Sequence, residues 1–259
     1  MTTQARRVAF EGLVNFRDLG GYATASGSTV RWGNLYRSDA LHRMTAADAA
    51  QLRALGMASV IDLRAPDEVA HVGIGVIDDV RAQYQNLPTR PAVLSQPDTT
   101  TDGAGDAEPE SAAEHYFGYL TEGSACFGTV VQTLADPANV PAVFFCNAGK
   151  DRTGVVAAMV LGLLGVDDET VAADYALTQD VLDEIYAATQ RDYPVDVKAW
   201  RNLSPDMRYA RAETMLAFLG VLRERVGGWE EYVASLGVST DAVASMRASL
   251  LEEPAEETE

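Results

Sequence analysis

The stretch VPAVFFCNAGKDRTGVVAAMVLGLLG, residues 140–165, constrains the fold more than any other part of the chain. Its first seven residues form a short apolar run of the length a buried strand needs. From Thr153 onward almost every residue is apolar, so a helix there has no polar face and is buried as well. A buried strand joined to a buried helix by a short polar loop belongs in a layered sheet-and-helix architecture.

The rest of the chain supplies matching elements. Residues 15–39, NFRDLGGYATASGSTVRWGNLYRSD, alternate short apolar stretches with Gly, Asn and Asp turns and read as β-rich. Thr45 is placed as an N-cap with Asp48 capping back, which predicts a helix over AADAAQLRAL that stops at Gly56. MASVIDLR (57–64) reads as a buried strand, and another is expected within 79–87, before Pro88. Helix is expected over 115–135 and again in DDETVAADYALT. One continuous helix is expected from Pro205 to Val226, with Ser204 as its cap and Gly227–Gly228 as its stop. Strands alternating with helices, followed by helices alone, predict an α/β fold: a central, mostly parallel sheet flanked by helices, with a helical C-terminal region.

Some segments do not fit a core. Residues 95–114, SQPDTTTDGAGDAEPESAAE, carry six carboxylates and almost nothing apolar. They are expected to form a flexible polar loop, either disordered or a lid beside a site. Residues 180–204 are amphipathic, broken by Pro194, and are a second candidate lid. The tail EEPAEETE (252–259) has five Glu in eight residues and is expected to be a disordered, solvated end, leaving 1–251 as one domain.

Composition narrows the function classes. At 259 residues and 47% apolar content the chain can bury a sizeable core. Its 38 acidic against 20 basic residues, a formal charge of −18, argue against nucleic acid as a partner and against loose docking on an anionic membrane. No run resembles a signal core or a bilayer span, so a cytoplasmic protein without integral membrane association is expected, with export lacking a readable signal left open. Cys126 and Cys146 are too few for a disulfide framework and fit a reducing compartment. His42, His71 and His115 lack ligand-like spacing, so surface or packing roles are expected and no metal or other cofactor is implied.

The chemistry lies in the loop Cys146, Asn147, Ala148, Gly149, Lys150, Asp151, Arg152, Thr153. Between a strand end and a helix start, successive backbone N–H groups can turn inward as an anion-binding nest, and small residues at 148 and 149 permit the tight turn. Arg152 in the first helical turn can grip two phosphate oxygens with its planar fork. The same positive potential is expected to lower the Cys146 thiol below its usual ~8.5, giving thiolate at neutral pH. These parts suit nucleophilic substitution at phosphorus: Cys146 attacks, the amides and Arg152 hold the oxygens, an acid protonates the leaving group, and water hydrolyses the phosphocysteine. Thr153 is placed to hydrogen-bond the departing sulfur. Only two of the 20 basic residues are lysines, so Lys150 in this loop departs from the chain's own usage. A nucleotide-binding P-loop would need Ser or Thr where Asp151 stands, and GIGVID lacks the third glycine of a dinucleotide fingerprint.

Together with NFRDLGGY, LYRSDAL, VIDLR, DYALT and GGWEEYVASLGVS, the CNAGKDRTG loop resembles the cysteine-dependent phosphatases of the protein tyrosine phosphatase superfamily. It is most similar to the bacterial tyrosine/lipid branch whose loop reads His-Cys-x-x-Gly-Lys-Asp-Arg. The resemblance spans most of the chain. It implies a phosphatase-like fold and a metal-independent phosphomonoesterase, with Cys146 as nucleophile, Arg152 as phosphate clamp and Lys150 as an added electrostatic contact. In that branch the loop aspartate, here Asp151, is the leading candidate for the general acid. Elsewhere the acid sits on a separate loop, so Asp98, Asp102 and Asp106 stay open. Arg17, Asp18 and Arg64 are implied braces behind the loop, though ion pairs serving only the fold explain them equally well, and Asn147 is implied as a rim residue. The implied substrates are phosphotyrosine proteins, with phosphoserine/threonine proteins or phospholipid headgroups as further classes, and inorganic phosphate is the product. Phe145 stands where the superfamily usually has His, which predicts an active enzyme with a less depressed Cys146 pKa. The alternative is a pseudophosphatase that binds phosphate without turning over.

Overall fold

The computed structural model describes residues 5–90, 111–193 and 204–253. Strand β6 (Ala142–Phe145) lies mid-sheet in the order β1-β3-β6-β4-β5, with β1 at Arg17–Asp18, β3 at Leu35–Ser38, β4 at Ser59–Asp62 and β5 at Gln83–Asn86. β3, β6, β4 and β5 pair in parallel, and β1 is antiparallel to β3. Successive β6 side chains point to opposite faces. Ala142 and Phe144 enter the larger of two apolar clusters, and Val143 and Phe145 enter the smaller. Both faces of the parallel strands are therefore covered, as the continuous apolar run in the sequence requires.

The larger cluster packs beneath α3 (Ala112–Glu122), α4 (Ser124–Ala135), α5 (Asp151–Leu163), α6 (Asp168–Ala176) and the C-terminal α9 (Ala212–Val226). The smaller one sits under α1 (Ala46–Ala54), which begins as expected: Thr45 Oγ1 accepts from Asp48 N at 3.2 Å, and Thr45 N donates to Asp48 Oδ2 at 3.0 Å. Asp48 does more than cap. It also accepts from the amides of Glu11 and Gly12, at 2.7 and 2.8 Å, and so ties the N-terminal arm to α1. No helix among the described residues is long and apolar enough to cross a membrane.

Two expected helices are divided. The span 115–135 starts earlier, at Ala112, and breaks at Gly123, where a Cβ would lie 2.4 to 2.7 Å from the backbone of Thr89. The span 205–226 is split into α8 (Pro205–Arg208) and α9, with Tyr209 and Arg211 extended between them. Here tertiary partners displace helical ones: Lys150 Nζ takes the carbonyl of Met207, Tyr186 the carbonyl of Arg208, and Gln179 the amide of Ala210. Glu252, assigned from sequence to the tail, instead pairs with Thr29 in a two-stranded ribbon, β2 (Thr29–Val30) with β7 (Leu251–Glu252). Helix α7 (Leu182–Asp192) occupies the first half of the second candidate lid. Its remainder at 194–203, most of the polar segment at 95–110 with Asp98, Asp102 and Asp106, and the tail at 254–259 lie outside the described residues.

Replacing Asp48 with Ala leaves the amides of Thr45, Glu11 and Gly12 without their acceptor. Each lost bond costs about 1 kcal/mol, so Asp48→Ala should destabilise the protein by about 3 kcal/mol in urea unfolding.

Candidate active site

The loop from Cys146 to Lys150 turns between the end of β6 and the start of α5. Gly149 takes φ of +65°, and a Cβ there would lie 2.5 Å from Ser38 O and 2.7 Å from Asp39 N. The loop therefore rests on the end of β3 at a separation that only glycine permits. Three successive carbonyls of the loop are turned toward the scaffold. Asn147 O accepts from Ala40 N at 3.2 Å and Arg43 Nη1 at 3.3 Å. Ala148 O accepts from Asn15 Nδ2 at 3.2 Å. Gly149 O accepts from Asn15 Nδ2 at 3.2 Å and Arg37 Nη2 at 2.9 Å. In a trans peptide the next N–H points opposite to the carbonyl, so the amides of Ala148, Gly149 and Lys150 face away from these braces. The first helical bond of α5, Gly154 N to Lys150 O at 2.8 Å, leaves the preceding amides unused by the helix.

The braces are themselves fixed by a buried ionic cluster. Asp174 Oδ1 accepts from Arg17 Nε at 3.1 Å and from Tyr22 at 3.0 Å, and its Oδ2 accepts from Arg37 Nη1 at 2.6 Å. Burial would raise the Asp174 carboxyl, but Arg17 and Arg37 outweigh it and hold the group well below its ordinary range. Arg17 Nη1 also donates to Asn15 Oδ1 at 2.6 Å. An arginine can only donate, so this bond turns the Asn15 oxygen away from the loop and aims its NH2 at the two carbonyls. Arg17 thus supports the loop through Asn15 and Asp174, without touching it.

Cys146, the nucleophile expected from sequence, is buried at the end of β6, among the larger apolar cluster. Arg152, on the first turn of α5, forms a two-pronged pair with Glu68: Nη1 to Oε2, and Nη2 to Oε1 at 2.9 Å. Burial would raise Glu68, and Arg152 outweighs it, so its carboxyl is held down. Glu68 Oε2 also accepts from Ala65 N at 2.8 Å, which anchors the pair to the start of α2 (Pro66–Val72). The Arg152 guanidinium is held strongly protonated by Glu68, with a contribution from Cys146. Burial and Arg17 push Arg37 down to about 10, while Asp174 and Cys146 pull the other way.

The remaining predicted residues have specific placements. Asp151 Oδ1 accepts from the Tyr116 hydroxyl at 2.6 Å and lies 3.4 Å from Lys150 Nζ. Lys150 is buried with its ammonium on the Met207 carbonyl. The Asn147 side chain accepts from Arg43 Nη2 at 3.3 Å. Thr153 Oγ1 is buried without a hydrogen-bond partner among the described residues. Asp18 does not reach the loop and instead accepts from the turn amides of Gly20 and Gly33, each at 2.7 Å. Arg64 pairs with Asp62 at 2.6 Å and stacks its guanidinium 5.3 Å from the Phe145 ring. It too stands apart from the loop backbone.

A family model described as the tyrosine phosphatase family matches residues 8–252. The chain belongs to the tyrosine phosphatase family. It is 30% identical over 274 residues to the triple specificity protein phosphatase PtpB of Mycobacterium tuberculosis, covering 93% of this chain and 97% of that protein. It is also 30% identical over 221 residues to a tyrosine-protein phosphatase of Nostoc commune, covering 83% of this chain and 73% of the relative. The protein is accordingly a hydrolase of the tyrosine phosphatase kind.

Sequence reasoning singled out the loop but missed Asn15, Arg37, Arg43, Glu68, Tyr116 and Asp174. Arg37 carried a usable signal: an arginine inside a fully buried strand needs a paired carboxylate, and only long-range contact supplies one. His42 was expected at the surface or in packing, and it fills a buried polar slot. Arg64 Nη1 contacts its Nδ1 at 3.0 Å and Asp192 Oδ2 its Nε2 at 3.1 Å. Because Arg64 only donates, the neutral ring carries its proton on Nε2 and donates it to Asp192.

Two outcomes follow from this geometry. Gly149→Ala drives a methyl into the Ser38 carbonyl and turns the amides, and it should lower kcat/KM for an aryl phosphate by about 10²-fold, the scale of losing an oxyanion donor. His42 has its pKa pushed down to about 4, by burial first and then by Arg64, against the pull of Asp192. The unfolded chain therefore binds the extra proton first, and stability falls as pH drops from about 6.5 toward about 4. His42→Gln should flatten that part of the slope in urea titrations at stepped pH.

Proposed function

We propose that this protein hydrolyses phosphomonoesters through a phosphocysteine on Cys146. The thiolate attacks phosphorus, and the bond to the leaving oxygen breaks with its electron pair staying on that oxygen. Asp151 supplies the proton. Water then attacks the phosphocysteine, gives a proton back to Asp151, and releases inorganic phosphate and the thiolate. The amides of Ala148, Gly149 and Lys150, with Arg152, stabilise the charge on the transferring oxygens. The observation that carries this reading is the turning of three consecutive loop carbonyls onto Asn15, Arg37, Arg43 and Ala40, which leaves the opposing amides for an anion beside Cys146.

Phosphotyrosine proteins are the proposed substrate class, with a cytoplasmic site of action. The mycobacterial relative is named a triple specificity protein phosphatase, so phosphoserine/threonine peptides belong in the same test, and phosphoinositides complete it. The bonding of Lys150 to Met207 and Asp151 supports a role in arranging the acid, beside the added electrostatic contact to phosphate that the resemblance implies.

Hydrolysis of an aryl phosphate in chelator-containing buffer should be abolished by Cys146→Ser, while inorganic phosphate still binds in calorimetry. A phosphorylated enzyme trapped by rapid quench should be labelled on Cys146. Full activity in Cys146→Ser overturns the mechanism, and phosphate binding by a wild-type protein that never turns over supports a pseudophosphatase instead. A panel of phosphotyrosine peptides, phosphoserine peptides and phosphoinositides should show the highest kcat/KM on phosphotyrosine.

A further inference from the structure

We infer that Tyr116 is a positioning residue for the acid–base step, holding the Asp151 carboxyl so that Oδ2, and not Oδ1, carries the transferred proton. This rests on the proposed role of Asp151 and sharpens it to a single oxygen. Tyr116 lies on α3 and is fully buried, with its ring edge-on to Tyr175 and to Phe218 at centroid separations of 6.2 and 5.9 Å. Its hydroxyl sits 2.6 Å from Asp151 Oδ1 and 2.6 Å from the hydroxyl of Tyr175. A phenol has one proton. Tyr116 gives its proton to Asp151, so Tyr175 must donate to the Tyr116 oxygen, and the chain of bonds has one direction.

Two donors converge on Asp151 Oδ1, the Tyr116 hydroxyl and the Lys150 ammonium at 3.4 Å. A proton on that oxygen would face both. The acidic proton therefore resides on Oδ2. The Asp151 side chain is 26% exposed while both tyrosines are buried, so it meets the site with the oxygen that Tyr116 leaves unbonded. Burial first, and then the charge of Asp151, keep both phenols protonated far above neutral pH. They orient the carboxyl and do not exchange its proton. When the leaving oxygen takes the Oδ2 proton, the new carboxylate is stabilised by the bonds already made to Oδ1. When water attacks, Oδ2 recovers a proton as the P–S bond breaks and sulfur departs as thiolate.

Gly154 makes this arrangement possible. A Cβ there would lie 2.9 Å from Cδ2 and 3.1 Å from Cε2 of Tyr175, so the Thr-Gly pair after Arg152 gives the Tyr175 ring room against the first turn of α5.

The test uses the dependence on leaving group. p-Nitrophenyl phosphate releases an acidic phenol that departs with little need of a proton, whereas phenyl phosphate releases an ordinary phenol that needs one. Asp151→Asn should lower kcat/KM, which reports the first chemical step and not phosphocysteine hydrolysis, about 10²-fold on phenyl phosphate and only a few-fold on p-nitrophenyl phosphate. Tyr116→Phe should show the same bias in kcat/KM at about 10-fold and about 2-fold. Tyr175→Phe should show it more weakly. Equal losses of kcat/KM on both substrates in Tyr116→Phe would mean that the tyrosine only ties α3 to α5, and the inference fails. If Asp151→Asn keeps its bias while Tyr116→Phe has none, the acid stands and the positioning role falls. If Asp151→Asn shows no bias, the acid assignment itself is wrong, and the role of Tyr116 goes with it.

Discussion

One buried carboxylate held between two arginines supports everything else at the site. Asp174 meets Arg17 and Arg37 where none of the three touches water. Leaving a charge unpaired at such depth costs about 3–5 kcal/mol, so the geometry of the trio is tightly specified. Two guanidiniums against one carboxylate leave an excess positive charge. That excess has an outlet: Arg37 directs its second nitrogen to Gly149 O. A chain with a formal charge of −18 thus builds a local positive field behind one loop. Net charge governs what the surface attracts, while the site is governed by the few cations the fold cannot hydrate.

The same scaffold decides what the loop amides do. A free loop would satisfy its carbonyls with water and let each peptide choose its own direction. Here Asn15, Arg37 and Arg43 arrive from three other segments and take the carbonyls of three successive residues. Turning the carbonyls one way forces the N–H groups the other way, so preorganisation toward an anion follows from bonds made on the far side of the peptide plane. Gly149 closes the turn with a positive φ against the end of β3. Arg152 is treated alike. Its fork is set by Glu68, which in the proposed clamp role removes part of the ordering cost of gripping phosphate.

Much of this was legible in the sequence, and the division follows chain distance. The strand, loop and helix from Val140 to Gly165 are contiguous, so apolar pattern and small residues sufficed to place them, as did Thr45 and Asp48 for α1. Asn15, Arg37 and Arg43 reach the loop across more than a hundred residues, and no local pattern encodes that closure. Nor does local pattern end a helix at Gly123, where the Thr89 backbone fills the space, or at Tyr209, where Lys150 and Tyr186 claim the carbonyls of Met207 and Arg208. These are the places where a tertiary partner offers a better bond than the next helical turn. The Lys150 bond makes one of those breaks part of the site.

Phe145 shows how strand geometry limits a reading based on adjacency. In sequence it stands beside Cys146 and invites the idea that its side chain sets the thiol's surroundings. In the sheet it points to the opposite face, into the smaller cluster, while Cys146 belongs to the larger. Its ring instead receives the guanidinium of Arg64, which is clamped by Asp62 and bonded to His42. The aromatic face stabilises a buried cation there without needing a donor or acceptor of its own. Arg152 and Arg37 are two of the groups that interact electrostatically with Cys146, and both are fixed by carboxylates. Any influence of residue 145 on the sulfur therefore passes through the backbone of β6 and the packing of its two faces.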